Sequence, residues 1–150
     1  GRGIGERAWW SEVVRTTSPG VMEQFASVSR QRNPRVFLDA VSDQLSEQIF
    51  AAMPTGARWI SYGKLSAEPP KLTQMGHLIF MGKRIEGFWL TRWMQTTPPE
   101  DQARVAAEVQ ARFADGRWTT DVSARLRLDD VVSGLAKALE KTDGKVMIIP

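Results

Sequence analysis

The chain of 150 residues has no cysteine, one histidine and one tyrosine. Without cysteine, disulfides, thiolate metal sites and cysteine nucleophiles are excluded. The lone histidine, His77, has no close cluster of acidic residues beside it in the sequence. Zinc sites draw on about four protein ligands, or three and a water, so no metal site is expected. The same isolation leaves His77 without the ordered serine and carboxylate of a nucleophilic triad. Its simplest reading is a surface or cap residue in a loop. Long apolar runs are lacking too. No stretch approaches the ~20 residues of a membrane span, and Gly1–Arg7 holds nothing like the apolar segment of a secretory signal. No membrane partner is expected, and a reduced, cytoplasmic setting is the default.

An excess of one charge is also nearly absent: 20 basic and 17 acidic residues give a net charge of +3. The basic residues are scattered, whereas a nucleic-acid binder concentrates them on one face. They read as solvated surface, and no nucleic-acid partner is expected. What is present suits a globular chain with a core, since 42% of residues are hydrophobic and 25% charged. The chain opens on Gly1 rather than methionine, which is expected of a fragment or a processed product. Its first residues, Gly1-Arg2-Gly3-Ile4-Gly5-Glu6, alternate glycine in the manner of a nucleotide loop. No strand precedes them, and Glu6 stands where the dinucleotide fingerprint has glycine. Residues 1–10 therefore read as a flexible end or the remnant of a cut element.

The organising stretch is Ala57–Gly63, a short apolar run closed by glycine. Val36–Val41 is a similar run before it, and Leu45, Ile49 and Ala52 between them have helical spacing, with Ser42 or Asp43 as the cap. Arg84–Leu90 is a third run, reading as a strand that passes into a loop. The order is that of an α/β protein: a partial Rossmann-like parallel sheet with flanking helices, ligands lying at the carboxyl ends of its strands. Ahead of it, Ser11–Arg15 reads as a short strand. Val21–Arg30 reads as a helix begun by Ser18 or Pro19 and broken at Asn33-Pro34. Leu78–Met81 reads as a helical turn on the sheet edge. A helix starts at Pro98-Pro99-Glu100 with Thr97 as cap in a capping-box pattern and ends at Asp115-Gly116. After it come a strand in Thr119–Leu128, a helix capped by Asp129-Asp130 with Val132, Leu135, Ala136 and Leu139 inward, and a closing strand Val146–Ile149.

At the strand ends two triplets lie side by side if the sheet is parallel: Ala40-Val41-Ser42 and Tyr62-Gly63-Lys64. Glycine at 63 admits close approach of a ligand to the backbone, and Lys64 can meet a phosphate or ribose. Equally, Gly63 serves a tight turn and Lys64 is solvated. Phe88-Trp89-Leu90, beside Trp93, suits core packing, the wall of a flat ring, or a subunit contact. Lys145, on its own, is a turn lysine.

Several of these segments carry a resemblance. Val36–Val41 and Ala57–Gly63 resemble the zinc-independent medium-chain dehydrogenase/reductase family. Leu78-Ile79-Phe80-Met81-Gly82-Lys83-Arg84-Ile85-Glu86-Gly87-Phe88-Trp89-Leu90 resembles the segment L-I-F-x-x-K-x-x-x-G-F-W-L of its quinone reductases and 2-enoyl thioester reductases. Gly144-Lys145-Val146 is similar to the family's G-K-V ending. The resemblance implies residues 1–118 as a partial Rossmann cofactor domain and 119–150 as a strand-helix-strand tail of a GroES-like catalytic domain. It implies NADPH as cofactor, bordered by Ala40, Val41, Ser42, Tyr62, Gly63 and Lys64. Phe88, Trp89 and Leu90 would face the nicotinamide, and Lys145 would lie near the cofactor. It also implies a homodimer paired through the sheet edge near Gly87-Phe88, a small-molecule substrate for the intact parent, and a mitochondrial parent as an alternative to the cytoplasm.

The family's glycine-rich turn and main catalytic domain have no counterpart in this sequence. No catalytic residue is therefore expected here. The chain reads as a fragment of an oxidoreductase that passes hydride to an activated double bond or a quinone, itself inactive and a poor binder of cofactor. The alternative is a dimerisation or scaffold module derived from such an enzyme.

Overall fold

A computed structural model describes residues 13–141 and 144–150. The chain divides into two compact units, one ending at Gln95 and the other running from Thr96 to Pro150. The alternating glycines of Gly1–Glu6 and most of the expected strand Ser11–Arg15 lie outside the described residues. Residues 13–15 of that strand are irregular.

The first unit begins with α1 (Val21–Arg32), which leads into β1 (Val36–Asp39). Neither Ser18 nor Pro19 caps α1: Gly20 does, in the left-handed region and with no side-chain bond, and Asn33 ends the helix in the same region. Helix α2 (Gln44–Ala52) starts with a full capping box: the Asp43 carboxylate accepts from the Ser46 N–H, and the Ser46 hydroxyl accepts from the Asp43 N–H. Strand β2 (Arg58–Ser61), the short helix α3 (Gly76–Phe80) and β3 (Arg84–Gly87) follow. The three strands form one parallel sheet in the order β1-β2-β3. In register, Asp39 lies opposite Ser61, and Ser61 opposite Gly87, so all three strands end at the same level.

The core of this unit is small and centred on Trp59. Phe50, Met53 and Ala57 are buried with it, and Phe25, Phe37 and Leu78 pack around them. The Trp59 ring lies 5.5 Å from that of Phe50 and 6.1 Å from that of Phe37. Burying each large side chain stabilises the unit by about 1.5–3 kcal/mol. Polar groups are buried beside this core: Ser29, Asp39, Ser46, Glu47 and Lys83. Lys83 corrects the reading of all basic residues as solvated. Its Nζ donates to the carbonyls of Phe50 and Ala51, supplying partners to the C-terminal end of α2. Nor is His77 a loop residue: it sits in α3, half buried, with Nδ1 3.4 Å from the Lys83 Nζ.

After β3 the chain turns into α4 (Leu90–Thr96). A strand followed by a loop was expected here, and the strand is shorter than expected, ending at Gly87. In the second unit, α5 (Pro99–Ala114) is capped by Pro98 and not by Thr97. The Thr97 carbonyl instead accepts from the Gln102 amide. Strand β4 (Val122–Arg127), a 3₁₀ turn (Leu128–Asp130), α6 (Val131–Leu139) and β5 (Lys145–Ile149) complete it. Strands β4 and β5 pair in parallel, with α6 as the crossover. The inward face of α6 differs from expectation. Val131, Gly134, Leu135 and Ala138 are the sheltered positions, while Val132 and Leu139 are exposed. Gly134 explains the choice, since a Cβ there would come within 3.2 Å of the Leu126 side chain. The fold is thus a Rossmann-like parallel sheet with flanking helices and a C-terminal strand-helix-strand element like a GroES-like tail.

Candidate functional site

Two loops at the carboxyl end of the sheet are bonded to each other along their length. The Tyr62 N–H donates to Asp39 O, the Leu65 N–H to Ala40 O and the Ser66 N–H to Val41 O, at 2.9, 3.1 and 3.0 Å. Ala40-Val41-Ser42 and Tyr62-Gly63-Lys64 are therefore side by side. Gly63 owes its identity to this approach. A Cβ at that position would stand 2.7 Å from Ala40 O, with no room between the two backbones. Gly63→Ala is expected to cost about 2 kcal/mol by overpacking, read as a lowered urea midpoint at unchanged slope. A midpoint equal to that of the parent chain would show that the loops part without cost.

Asp39 organises the junction. It is 3% exposed, and its carboxylate accepts from the N–H groups of Val41 and Ser42 and from the Trp59 indole N–H. Burial acts most strongly and would raise its pKa. The bonds from Val41, Ser42, Trp59 and the Ser46 hydroxyl together outweigh it and hold the carboxyl below its ordinary value. Ser42 carries a positive φ of 59°. Its hydroxyl lies 2.7 Å from the Ser61 Oγ and donates to Gly63 O at 3.0 Å.

Phe88 adjoins these loops through its own N–H, which donates to Ser61 O at 2.9 Å. Phe88, Trp89 and Leu90 are all exposed and lead into α4. Lys145 belongs to the second compact unit, where it opens β5 and its N–H donates to Asp121 O. Asp39, Ser61 and Ser46 take part in the junction although the sequence reading did not single them out. The usable signal was an aspartate at the last strand position, one turn ahead of a helix cap.

A cavity of about 380 Å³ opens beside the junction. Phe37, Leu45, Ile49, Val41 and Tyr62 supply its apolar walls, and Asp39, Asp43, Ser46 and Thr16 its polar edge. An uncharged, flat ring suits these walls. A phosphate does not suit the edge. The N–H groups of Val41 and Ser42 are already given to Asp39 and that of Ser46 to Asp43, and both acids repel an anion. The walls would take an uncharged ring and not a pyrophosphate. Of the residues expected at the cofactor, Ala40, Val41 and Tyr62 line this cavity, and Ser42, Gly63, Lys64, Phe88, Trp89 and Leu90 do not. Among the described residues no group of three His, Asp or Glu is placed to hold a metal.

Three parallel strands ending at one level, with a separate strand-helix-strand unit, define the fold class: a partial Rossmann-like sheet with a GroES-like element. No family model matches the chain. Among curated proteins, the mitochondrial enoyl-[acyl-carrier-protein] reductase of Homo sapiens is 23% identical over 107 residues, covering 71% of this chain and 28% of the relative. That of Caenorhabditis elegans is 26% identical over 116 residues, covering 77% and 33%. Among solved structures, a Mesorhizobium loti protein provisionally designated an NADPH:quinone reductase is 41% identical with a TM-score of 0.80, covering 90% of this chain and 39% of that one. The Etr1p/Etr2p heterodimer of the mitochondrial 2-enoyl thioester reductase of Candida tropicalis is 18% identical with a TM-score of 0.68, covering 89% and 38%; at that identity the likeness is one of fold. The chain spans 28% and 33% of the length of the two curated relatives. Homology supports a member, partial in length, of the zinc-independent medium-chain dehydrogenase/reductase superfamily.

Proposed function

We propose that this chain is part of an NADPH-dependent reductase whose whole form passes hydride to an activated double bond, as in a 2-enoyl thioester, or to a quinone. The observation that carries the reading is the bonded pair of loops at the strand ends, beside a cavity with apolar walls. Bound nicotinamide dinucleotide would supply the hydride. The backbones of Ala40–Ser42 and Tyr62–Lys64 would border the nicotinamide and its ribose. Phe88, Trp89 and Leu90 would form a wall, and Lys145 would lie near the cofactor. These residues give shape and orientation, and none transfers a proton. With the N–H groups of Val41, Ser42 and Ser46 engaged, the pyrophosphate would be held by residues other than these, and the chain alone would bind the dinucleotide weakly. We retain 1–118 and 119–150 as the division by descent. We retain the cytoplasmic setting with the mitochondrial one as its alternative: the curated relatives are mitochondrial, and the 41%-identical Mesorhizobium loti protein is bacterial.

The test is a titration with NADPH read by tryptophan fluorescence, in the parent chain and in Trp89→Phe. A change at millimolar cofactor that is reduced in Trp89→Phe supports the reading. No change at millimolar cofactor removes cofactor binding by this chain.

A second reading, a dimerisation or scaffold module, is favoured by β3. Among the described residues it pairs only with β2, and Phe88 and Trp89 stand exposed where its free edge ends. A homodimer through the edge near Gly87-Phe88 would cover both. Sedimentation velocity is expected to show a dimer that Gly87→Pro weakens, because proline cannot donate along an edge. A monomer at all concentrations would remove this reading.

A further inference from the structure

We propose that Ser42 is a positioning residue, whose hydroxyl locks the loop after β1 to the loop after β2 and so holds in place Ala40, Val41 and Tyr62, which line the cavity. The significance of the cavity rests on the cofactor reading above; the lock itself does not. Ser42 has a φ of 59°, in the left-handed region that non-glycine residues seldom adopt. Glycine would be the relaxed occupant, so backbone preference alone does not account for serine. The hydroxyl does. Its oxygen is 2.7 Å from the Ser61 Oγ, 3.0 Å from Gly63 O and 3.3 Å from the Asp39 Oδ2. A hydroxyl has one proton and two lone pairs. Asp39 already accepts N–H bonds from Val41, Ser42 and Trp59. Two arrangements satisfy every group: Ser61 donates to Ser42 and Ser42 to Gly63 O, or Ser42 donates to Ser61 and Ser61 to Gly63 O at 3.3 Å; in both the Ser42 hydroxyl is bonded across to the β2 loop. One side chain thereby joins the end of β2 and the Gly63 turn to the β1 loop. The left-handed backbone is what turns that side chain across. Asp39 is the titratable group in this cluster, and it engages Ser42 chiefly through the main-chain N–H.

The two inter-loop bonds from Leu65 and Ser66 are the reporters. The Arg58 N–H, bonded to Arg35 O at the opposite end of the same strand pair, is the internal reference. Native-state amide exchange is followed in the full chain and in Ser42→Gly and Ser42→Ala. Glycine removes the hydroxyl and relieves the backbone; alanine removes the hydroxyl and leaves the strain. The expected result is exchange at Leu65 and Ser66 about tenfold faster in both variants, with Arg58 unchanged. Ser61→Ala should give a smaller acceleration, since the bond to Gly63 O remains. Acceleration in only one of the two Ser42 variants, no acceleration in either, or an equal acceleration at Arg58 would overturn the proposal. NADPH titration of the same samples keeps the two ideas apart. A parent chain that shows no fluorescence response ends the cofactor reading, while the exchange rates still decide the role of Ser42.

Discussion

Asp39→Asn is expected to destabilise the first unit by about 3 kcal/mol. The carboxylate accepts from two main-chain N–H groups and the Trp59 indole, all in a site that is 3% exposed. An amide has a single oxygen. Whichever way it is turned, its NH₂ faces an N–H that has no other partner, and each buried donor left unpaired costs about 1–3 kcal/mol. The effect has a pH signature. The folded pKa lies below 3.8, the value of the free side chain. Above that value the group is ionised in both folded and unfolded chains, and its stabilisation is fully present. As the pH falls below it, the unfolded chain takes up the proton first, and the stabilisation is lost on the way down through the folded value. Urea unfolding at about pH 7 and about pH 3 should show this share of the stability beginning to fall in the parent chain, with no such fall in the variant. A variant as stable as its parent at neutral pH would refute the role given to Asp39.

Lys83→Ala should cost a comparable amount, about 3 kcal/mol, and Lys83→Met about 2 kcal/mol. The ammonium holds the Phe50 and Ala51 carbonyls at the end of α2 and lies 5.4 Å from the centre of the Phe50 ring. Burial lowers the pKa of Lys83, yet the carbonyl acceptors give the charge its partners. Methionine keeps the stem that fills the space and loses only the donor, so the difference between the two variants measures the cavity. His77 offers an independent reading. Burial lowers its pKa most, the Lys83 charge lowers it further, and Glu47 opposes both. Lys83→Met should therefore raise the His77 pKa, observed by imidazole NMR. An unmoved His77 would place the ammonium away from the ring.

Much of the first unit was legible because its signals are local. The apolar runs Val36–Val41, Ala57–Gly63 and Arg84–Leu90 alternate with helical spacing, and a parallel sheet follows from that order; the strands themselves stop at Asp39, Ser61 and Gly87, in register with one another. What was illegible depends on contacts distant in sequence. Lys83 and Glu47 look like surface charges until helix ends and loop donors meet them; Glu47 is buried because Thr73 donates to it through both N–H and hydroxyl. Helix α4 had its Leu90, Trp93, Met94 spacing in plain sight, but the aromatic pair Phe88-Trp89 reads equally as strand. On α6, Ser133 and Lys137 mark the exposed side, but the apolar stripe opposite them is wider than the strip that is sheltered, so Val132 and Leu139 at its border read as inward while Val131 and Ala138 are the covered positions. The caps at Gly20 and Pro98 escaped because nearby Ser18 and Thr97 have the better side chains for the task.

Strand β1 is expected to limit how long the purified chain stays in solution. Among the described residues its outer border is unmatched, and Val36 and Leu38 on it are 49% and 64% exposed. Pro34 stands guard just before it, but no charge interrupts the strand until Asp39, whose carboxylate is turned to other partners. Concentrated samples should thicken and cloud by growing from that border, molecule upon molecule. A lysine introduced at position 36 is the simplest preservative.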